Sequence, residues 1–425
     1  MLKPLLRYLL RQHWLQRWLR AVYGNLFEEI SRIRHARPEV GEIDPLPAVT
    51  RASSRRRVTL LLPGLSRRHY FGGIATAMGF LKGFRGQVDD LRIVVTDEAS
   101  LDAEEHARFS DWRITGLGEE DAPGNVIIPA GGREAPLAMR PDECVIATAW
   151  WTAHLAAELP ITAPFIYLIQ DFEPGFYPWS SRYALAEQTY LNPQRIVPVC
   201  NSTLLRDFMA SYGYLPADAL AFEPVINETL AATIKAEPCS RERRVLVYGR
   251  PTVERNAFAV VVDVLRRLVA QGGYDDWAFI SVGEPHADID LGRGCRLRSR
   301  GKLKLDEYAA ELRRAHAGLS LMVSPHPSYP PLEMAAAGLQ VVTNRYANKD
   351  PQAWSDRVSA PAPGDLHGLT DALARALDAY TAEPVGMPHA QDLLAYYQAH
   401  TPSFDALAEA VWQQWQEKSR SAVND

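Results

Sequence analysis

Three cations in the second half of the chain have the types and spacing of a diphosphate site. Arg250 sits in 248–256 (YGRPTVERN), Arg255 lies five residues on, and Lys302 follows Gly301 in 299–305 (SRGKLKL). A guanidinium presents a planar fork of donors that matches phosphate oxygens, and an ammonium adds a point charge. Further on, 324–338 (SPHPSYPPLEMAAAG) holds Glu333, with His326, Ser328 and Tyr329 in the turn before it. A carboxylate there can accept hydrogen bonds from two vicinal hydroxyls, as on a ribose or a hexose. Its simpler use, offsetting the positive end of a helix from the first turn, is worth about 0.3–1 kcal/mol. That use explains an acid at this place but not its company of Arg250 and Lys302.

The first half offers a different set. Gly72 and Gly73, in 63–76 (PGLSRRHYFGGIAT), follow an apolar run and open a helical one. Paired glycines let backbone approach a ligand closely, and a helix start presents free N–H groups. A plain strand-to-helix turn would use them equally well. The spacing is neither G-x-G-x-x-G nor the Walker pattern, which disfavours nicotinamide, flavin and P-loop nucleotide binding. Asp171 and Glu173, in QDFEP at the end of an apolar run over 165–170, are expected to face the same cleft and orient an acceptor hydroxyl. The alternative for both is a turn cap before Pro174.

These residues must be positioned by alternating strands and helices. Strand patterns fall at 58–62, 91–96, 125–128, 144–147, 165–170, 195–200 and 219–222, with helical patterns at 150–159 and 202–212 between them. A fresh start at 245–248 leads to helix 256–270, strand 277–282, helix 305–317, strand 319–324, helix 331–337 and strand 340–343. Repeating βα order calls for parallel sheets covered on both faces. Two Rossmann-like halves joined near 230–242 put a ligand cleft beyond the carboxyl ends of their strands. The expected division is a basic helix and linker over 1–57, an acceptor domain over 58–238, a nucleotide-sugar domain over 239–388, and helices over 389–425 that cross back to the first domain.

The YGR ending at Arg250, the Gly301-Lys302 pair and the run from Ser324 through Glu333 to Gly338 resemble the C-terminal half of GT-B glycosyltransferases of family 4. GGIAT at 72–76, YLIQDFEPGFYPW at 167–179 and SPHPSYPPLEMAAAG resemble the WsaF-like rhamnosyltransferases among them. The resemblance spans about residues 55–420 and implies a metal-independent, retaining transferase of the α/β GT-B fold, without a cofactor. It implies that L-rhamnose passes from dTDP-L-rhamnose to a bacterial surface-glycan acceptor, free or lipid-linked. Arg250 and Lys302 would then face the donor diphosphate as catalytic groups, with Asp171 serving the acceptor. Arg255, His326, Ser328 and Tyr329 would complete the donor site, with Glu333 on the nucleotide ribose. Two departures bear on the donor. The general pattern has a second Glu eight residues before Glu333, where this chain has Pro325, and its glycine-rich turn is here His-Pro-Ser-Tyr-Pro-Pro. A glucose-like donor therefore fits poorly and a 6-deoxy sugar fits better. The usual lysine five residues after Arg250 is Arg255, which keeps the charge. The rival readings are the same fold with a UDP or GDP sugar, and a non-catalytic glycan-binding scaffold.

Composition bounds the rest. The 425 residues are 47% hydrophobic and 23% charged, with a formal net charge of −5, which excludes a disordered chain and argues against a nucleic-acid partner. The charge is uneven. Residues 1–37 carry eight Lys/Arg against Glu28 and Glu29, a net +6, leaving −11 for the remainder. Apolar residues recur there in steps of three and four through Leu2, Leu5, Leu9, Trp14, Trp18 and Val22. A basic amphipathic helix with Trp and Tyr suits the surface of the inner membrane, and it suits docking on the body or a partner subunit equally. Cys144, Cys200, Cys239 and Cys295 form no C-x-x-C pair, so reduced thiols in the cytoplasm are expected. Neither a signal peptide nor a membrane-spanning run is expected. Asp89-Asp90 precedes a strand instead of ending one, so no metal is expected either.

Overall fold

The computed structural model describes residues 40–65, 72–118, 123–224, 226–227, 230–232, 240–380 and 403–424. The expected basic helix over 1–37 lies outside them, as do Cys239 and the first part of the helices expected over 389–425. The chain divides into a leading unit, Met1–Asp44, and a body, Pro45–Asp425. Of the leading unit a single turn at Gly41–Ile43 is described.

The first half of the body is built on a sheet whose strands are buried along their length. A short strand β1 (Ala48–Thr50) precedes it and pairs with β6 (Leu137–Met139). The sheet itself contains β2 (Arg57–Leu62), β3 (Asp90–Val95), β4 (Arg113–Ile114), β5 (Val126–Pro129), β7 (Cys144–Ala147), β8 (Phe165–Ile169), β9 (Ile196–Asn201) and β10 (Leu220–Phe222). Its order is β10-β9-β8-β7-β2-β3-β5-β4, and every pair is parallel. Runs such as LLL and FIYLI pack on both faces, which is why they read as continuous apolar stretches. Helices α1 (Gly72–Lys82), α2 (Ala103–Arg108), α3 (Trp150–Glu158), α4 (Ser181–Gln188) and α5 (Thr203–Ser211) belong to this half.

The second sheet has the order β13-β14-β12-β11-β15-β16-β17. It uses β11 (Glu242–Gly249), β12 (Ala278–Gly283), β13 (Ile289–Gly292), β14 (Cys295–Ser299), β15 (Ala315–Leu319), β16 (Gln340–Val342) and β17 (Val358–Ser359). Only the β13–β14 hairpin is antiparallel within it. Helices α6 (Phe258–Gln271), α7 (Leu305–Arg314), α8 (Tyr329–Ala336) and α9 (Leu366–Asp378) cover it. The last helix, α10 (Phe404–Asn424), returns to the first half, where Leu407, Ala408, Val411, Trp412 and Trp415 join the core under α1. The fold class is thus the α/β GT-B arrangement of two Rossmann-like halves.

The largest boundary differences from expectation fall at one junction. Helix α7 ends at Arg314 instead of 317, and strand β15 occupies 315–319 instead of 319–324. The buried Arg241 guanidinium donates to the carbonyls of Leu312, Arg313 and Ala315, which satisfies helix-end acceptors that would otherwise be orphaned. AHAGL is a weak strand sequence by propensity. Its Gly318 is required because a Cβ there would lie 2.6 Å from Met334 Sδ of α8.

Candidate active site

In each sheet the chain changes direction beside a central strand, between β2 and β7 and between β11 and β15. Ligand clefts of doubly wound sheets form beyond the carboxyl ends of strands at such a point. Arg250 follows β11 directly, Ser324 and His326 lie in the loop after β15, and Asp171 follows β8.

Arg250 is about one-third exposed and pairs with Glu284 at 3.1 Å. Glu284 also accepts from the Thr252 hydroxyl at 2.7 Å and the Thr252 N–H at 3.0 Å. Burial would raise its pKa, but the Thr252 bonds and Arg250 outweigh burial and hold it below the usual range. The Tyr248 hydroxyl lies against Arg250 and senses the charge of Glu333. Arg250 and Tyr248 thus neighbour one another at the end of β11, with Glu333 near enough for its charge to reach Tyr248. Lys302 stands exposed in the loop between β14 and α7. Backbone bonds stitch that loop to its neighbours: Gly283 N–H donates to Gly301 O, and Glu284 N–H to Gly249 O, both at 2.9 Å.

Glu333 is not in the first turn of its helix. Helix α8 starts at Tyr329, two residues earlier than expected, so Glu333 is its fifth residue. Compensation of the helix dipole fades beyond the first turn. The residue is half-buried, yet its carboxyl is deep enough for burial to push its pKa up to about 7, against the pull of Tyr308.

Arg255 reaches across to the first half. Its Nε lies 3.2 Å from Asp171 Oδ2 of the first half, and its guanidinium sits 4.0 Å above the Phe176 ring. Asp171 also accepts from the Ser324 hydroxyl and, at 2.8 Å, from Phe172 N–H. The Asn201 amide donates to the Tyr329 hydroxyl at 3.1 Å, and the Asn348 amide to Leu204 O at 2.8 Å. These contacts make Asp171, Arg255, Ser324 and Tyr329 the seam between the halves. Lys349, only 1% exposed, donates to Met322 O at 2.9 Å behind it. Burial lowers its pKa to about 7, opposed by Asp171. His326 is buried, with Nδ1 accepting from Ser328 N–H at 3.0 Å. Burial drops its pKa to about 4, so the neutral ring carries its proton on Nε2, which has no hydrogen-bond partner.

Glu173 does not face the cleft. Its carboxyl accepts from Trp150 N–H at the start of α3 and lies 3.5 Å from the Tyr167 hydroxyl, inside the first half. An acid at a helix start is stabilised by the unpaired N–H groups there, which accounts for the turn inward. Burial raises its pKa to about 8. Gly72 opens α1, and a Cβ on Gly73 would meet Gln170 Oε1 at 3.2 Å, so the second glycine admits a side chain of its own fold. Asp90 is held by Arg55 and Arg140 at 2.7 and 3.0 Å. Among the described residues no group of three His, Cys, Asp or Glu side chains is placed to hold a metal ion.

Glu284, Tyr248, Asn201 and Lys349 were not singled out from the sequence. Tyr248 was visible as the start of YGR, and Glu284 stands at the end of a strand facing Arg250's loop. Lys349 carries no signal in the sequence, because its burial and its bond to Met322 O are made by tertiary packing. Above the seam opens a cavity of about 240 Å³. Phe172, Tyr177, Trp179, Tyr183 and Tyr346 line it, with Arg255 and Ser324 at its base.

The family model of the WsaF N-terminal domain matches residues 57–203, and that of the WsaF C-terminal domain matches 243–374, together about two-thirds of the chain. The chain belongs to the WsaF-like GT-B glycosyltransferases. A curated relative of this WsaF-like chain, the O-antigen biosynthesis protein RfbC of Myxococcus xanthus, is 32% identical over 202 residues. Those residues are 48% of this chain and 15% of RfbC, so the chain spans a small part of that relative. The α,α-trehalose-phosphate synthase of Burkholderia xenovorans superposes with a TM-score of 0.53 at 12% identity, over 85% of this chain and 100% of that one. Sucrose-phosphate synthase of Thermosynechococcus elongatus gives 0.53 at 12%, over 85% and 99%. At such identities the likeness is one of fold.

Proposed function

We propose that this WsaF-like chain is a retaining glycosyltransferase that moves L-rhamnose from dTDP-L-rhamnose to a growing bacterial surface glycan. The observation that carries the reading is Arg250 directly after β11 with Tyr248 beside it, in the half that the WsaF C-terminal domain matches and that also holds Lys302 and Glu333. Arg250 and Lys302 take the diphosphate oxygens, and Glu333, once ionised, accepts from the ribose hydroxyls. The bond from the sugar's anomeric carbon to the diphosphate oxygen breaks, and the leaving diphosphate carries away the electron pair. Fixed cations aimed at that developing charge lower the barrier. The acceptor hydroxyl forms the new bond on the same face and passes its proton to the departing diphosphate oxygen. The buried Nε2–H of His326 is a donor for a sugar hydroxyl or a phosphate oxygen. No metal is assigned a part. The kinship with an O-antigen protein supports an acceptor of the surface-polysaccharide class.

Calorimetry with dTDP, UDP and GDP tests the reading. Binding of dTDP ahead of the others is expected, with Arg250→Ala and Lys302→Ala each abolishing turnover on a folded chain. Binding of none of the three would reject the enzyme, and preference for UDP or GDP would reject rhamnose. The basic head supports a site of action on an anionic membrane surface, where a lipid-linked acceptor would lie. Flotation with acidic liposomes is expected for the full chain and not for residues 38–425.

A further inference from the structure

We propose that the aromatic wall of the first half is a track for the acceptor glycan, holding sugar units beyond the reacting one from Trp179 at the cavity out to Tyr212. The inference rests on the transferase reading above and names how its acceptor is gripped. Trp179 is 93% exposed, unusual for the largest apolar side chain on a folded surface. It is nevertheless held in place. Its ring stacks on Tyr183 with centroids 5.7 Å apart and planes 10° from parallel, which leaves its other face open. The loop that carries it is anchored on both sides: Trp150 Nε1 donates to the Tyr177 hydroxyl at 3.0 Å, and Ser180 Oγ accepts from Tyr183 N–H at the start of α4 at 3.3 Å.

A second stack lies beside it. Tyr183 and Tyr214 lie near enough to sense each other's charge, and the Tyr214 hydroxyl donates to Glu187 at 2.5 Å. Tyr214 lies 6.4 Å from Tyr212 at 14°, and Tyr212 is 66% exposed. Two exposed aromatic residues, Trp179 and Tyr212, are thus each stacked on a partly buried tyrosine, Tyr183 and Tyr214, that neighbour one another. A pyranose ring has a face of C–H groups that carry partial positive charge, complementary to the negative face of an aromatic ring. A 6-deoxy sugar adds a methyl group to that apolar surface. The nucleotide is a poorer occupant, because Arg255, the cation among the cavity's lining residues, is neutralised by Asp171. Trp179 and Tyr183 line the cavity together with Arg255 and Ser324, so a chain on the track would present its end to the seam between the halves.

The test titrates the full chain with rhamnose oligosaccharides of one to four units, followed by tryptophan fluorescence and by calorimetry. Affinity is expected to rise with length. Trp179→Ala should weaken every oligosaccharide by about tenfold, with Trp179→Phe largely restoring it. Tyr212→Ala should weaken the tetrasaccharide and leave the monosaccharide unchanged. In turnover, both alanine variants should raise the KM for the glycan and leave the dTDP affinity and the donor KM alone. Length-independent binding, no binding, or variants that bind like the parent overturn the track. So does loss of self-association in Trp179→Ala with glycan binding intact, which would make the patch a protein interface. Trp179-dependent glycan binding by a chain that takes up no nucleotide would keep the track and reject the transferase.

Discussion

Ser328 has a φ of 71°, in the region that favours glycine, and it is buried directly before α8. A non-glycine residue held there stores roughly 1–3 kcal/mol. Its N–H is what fixes the His326 tautomer, so the strain is coupled to a buried donor without a partner, His326 Nε2. Ser328→Gly keeps the N–H and removes the strain. It is expected to raise stability in urea unfolding by about 1 kcal/mol net of the extra unfolded-state entropy of glycine. The same position shows what the sequence could and could not tell. The departure from a glycine-rich turn was legible, whereas the turn's conformation, kept without its glycine, was not. Asp171 and Glu173 teach the same point. Two acids two residues apart at a strand end were correctly noticed, but their directions were set by partners far away in sequence, Arg255 for one and the α3 start for the other. Glu173 gives a pH signature. Its folded pKa of about 8 lies above the ordinary 4.5, so the folded chain binds one more proton between those values. That contribution to stability is complete below pH 4.5 and is lost as pH rises through 8. Glu173→Gln keeps an acceptor for Trp150 N–H and should be more stable than the parent at pH 8.5 by on the order of a few kcal/mol, with the gap closing towards pH 5. An equal gap at both pH values in denaturant titrations would contradict the inward carboxyl.

At the scale of elements, the clearest dependence is that of α10 on two glycines of the first half. A Cβ on Gly79 would sit 2.6 Å from the Phe404 ring, and one on Gly83 would sit 2.3 Å from Phe404 O, a backbone atom that cannot step aside. The helix is fastened further along by Trp415 Nε1 donating to Pro164 O at 2.7 Å. Gly83→Ala must therefore lift the start of α10 from the core that holds Trp412 and Leu407. A cost of about 1–3 kcal/mol follows, the usual range for overpacking. Gly86→Ala, where nothing lies within 4 Å of the new atom, is the control. Thermal melts of the two variants that coincide would show that α10 is not seated there. Helix α10 was legible as a period of apolar residues, while the surface it covers was not, since a glycine records only that something comes close. The converse holds for β15. Its partners β11 and β16 and the helix α8 over it make AHAGL a strand, although the residues themselves favour none.

The molecule as a whole works as two sheets whose meeting is specified by few side chains. Each sheet was readable from alternating strands and helices, because that pattern is local. The seam was not, because Asp171 and Ser324 are 153 positions apart and neither sits in a pattern that requires the other. Asp171 is the centre of it, taking Arg255 on one oxygen and Ser324 and Phe172 on the other. The pair with Arg255 is only 8% and 24% exposed, so screening by salt is weak and loss of one partner leaves the other charge poorly compensated. Asp171→Asn keeps the shape and removes the charge. Nothing at Arg250, Tyr248 or Glu333 is touched by it, so dTDP should bind within about twofold of the parent in calorimetry. Turnover needs the acceptor from one half brought against the donor on the other, and small errors of placement are costly to rate, with about 1 Å enough for a hundredfold loss. It should fall by tenfold or more, and the fall should persist at saturating glycan. If nucleotide affinity collapses together with turnover, Asp171 belongs to the donor site and the seam does not set the geometry of transfer. If turnover survives while binding is unchanged, the two halves are aligned by Asn201 and Asn348 without it.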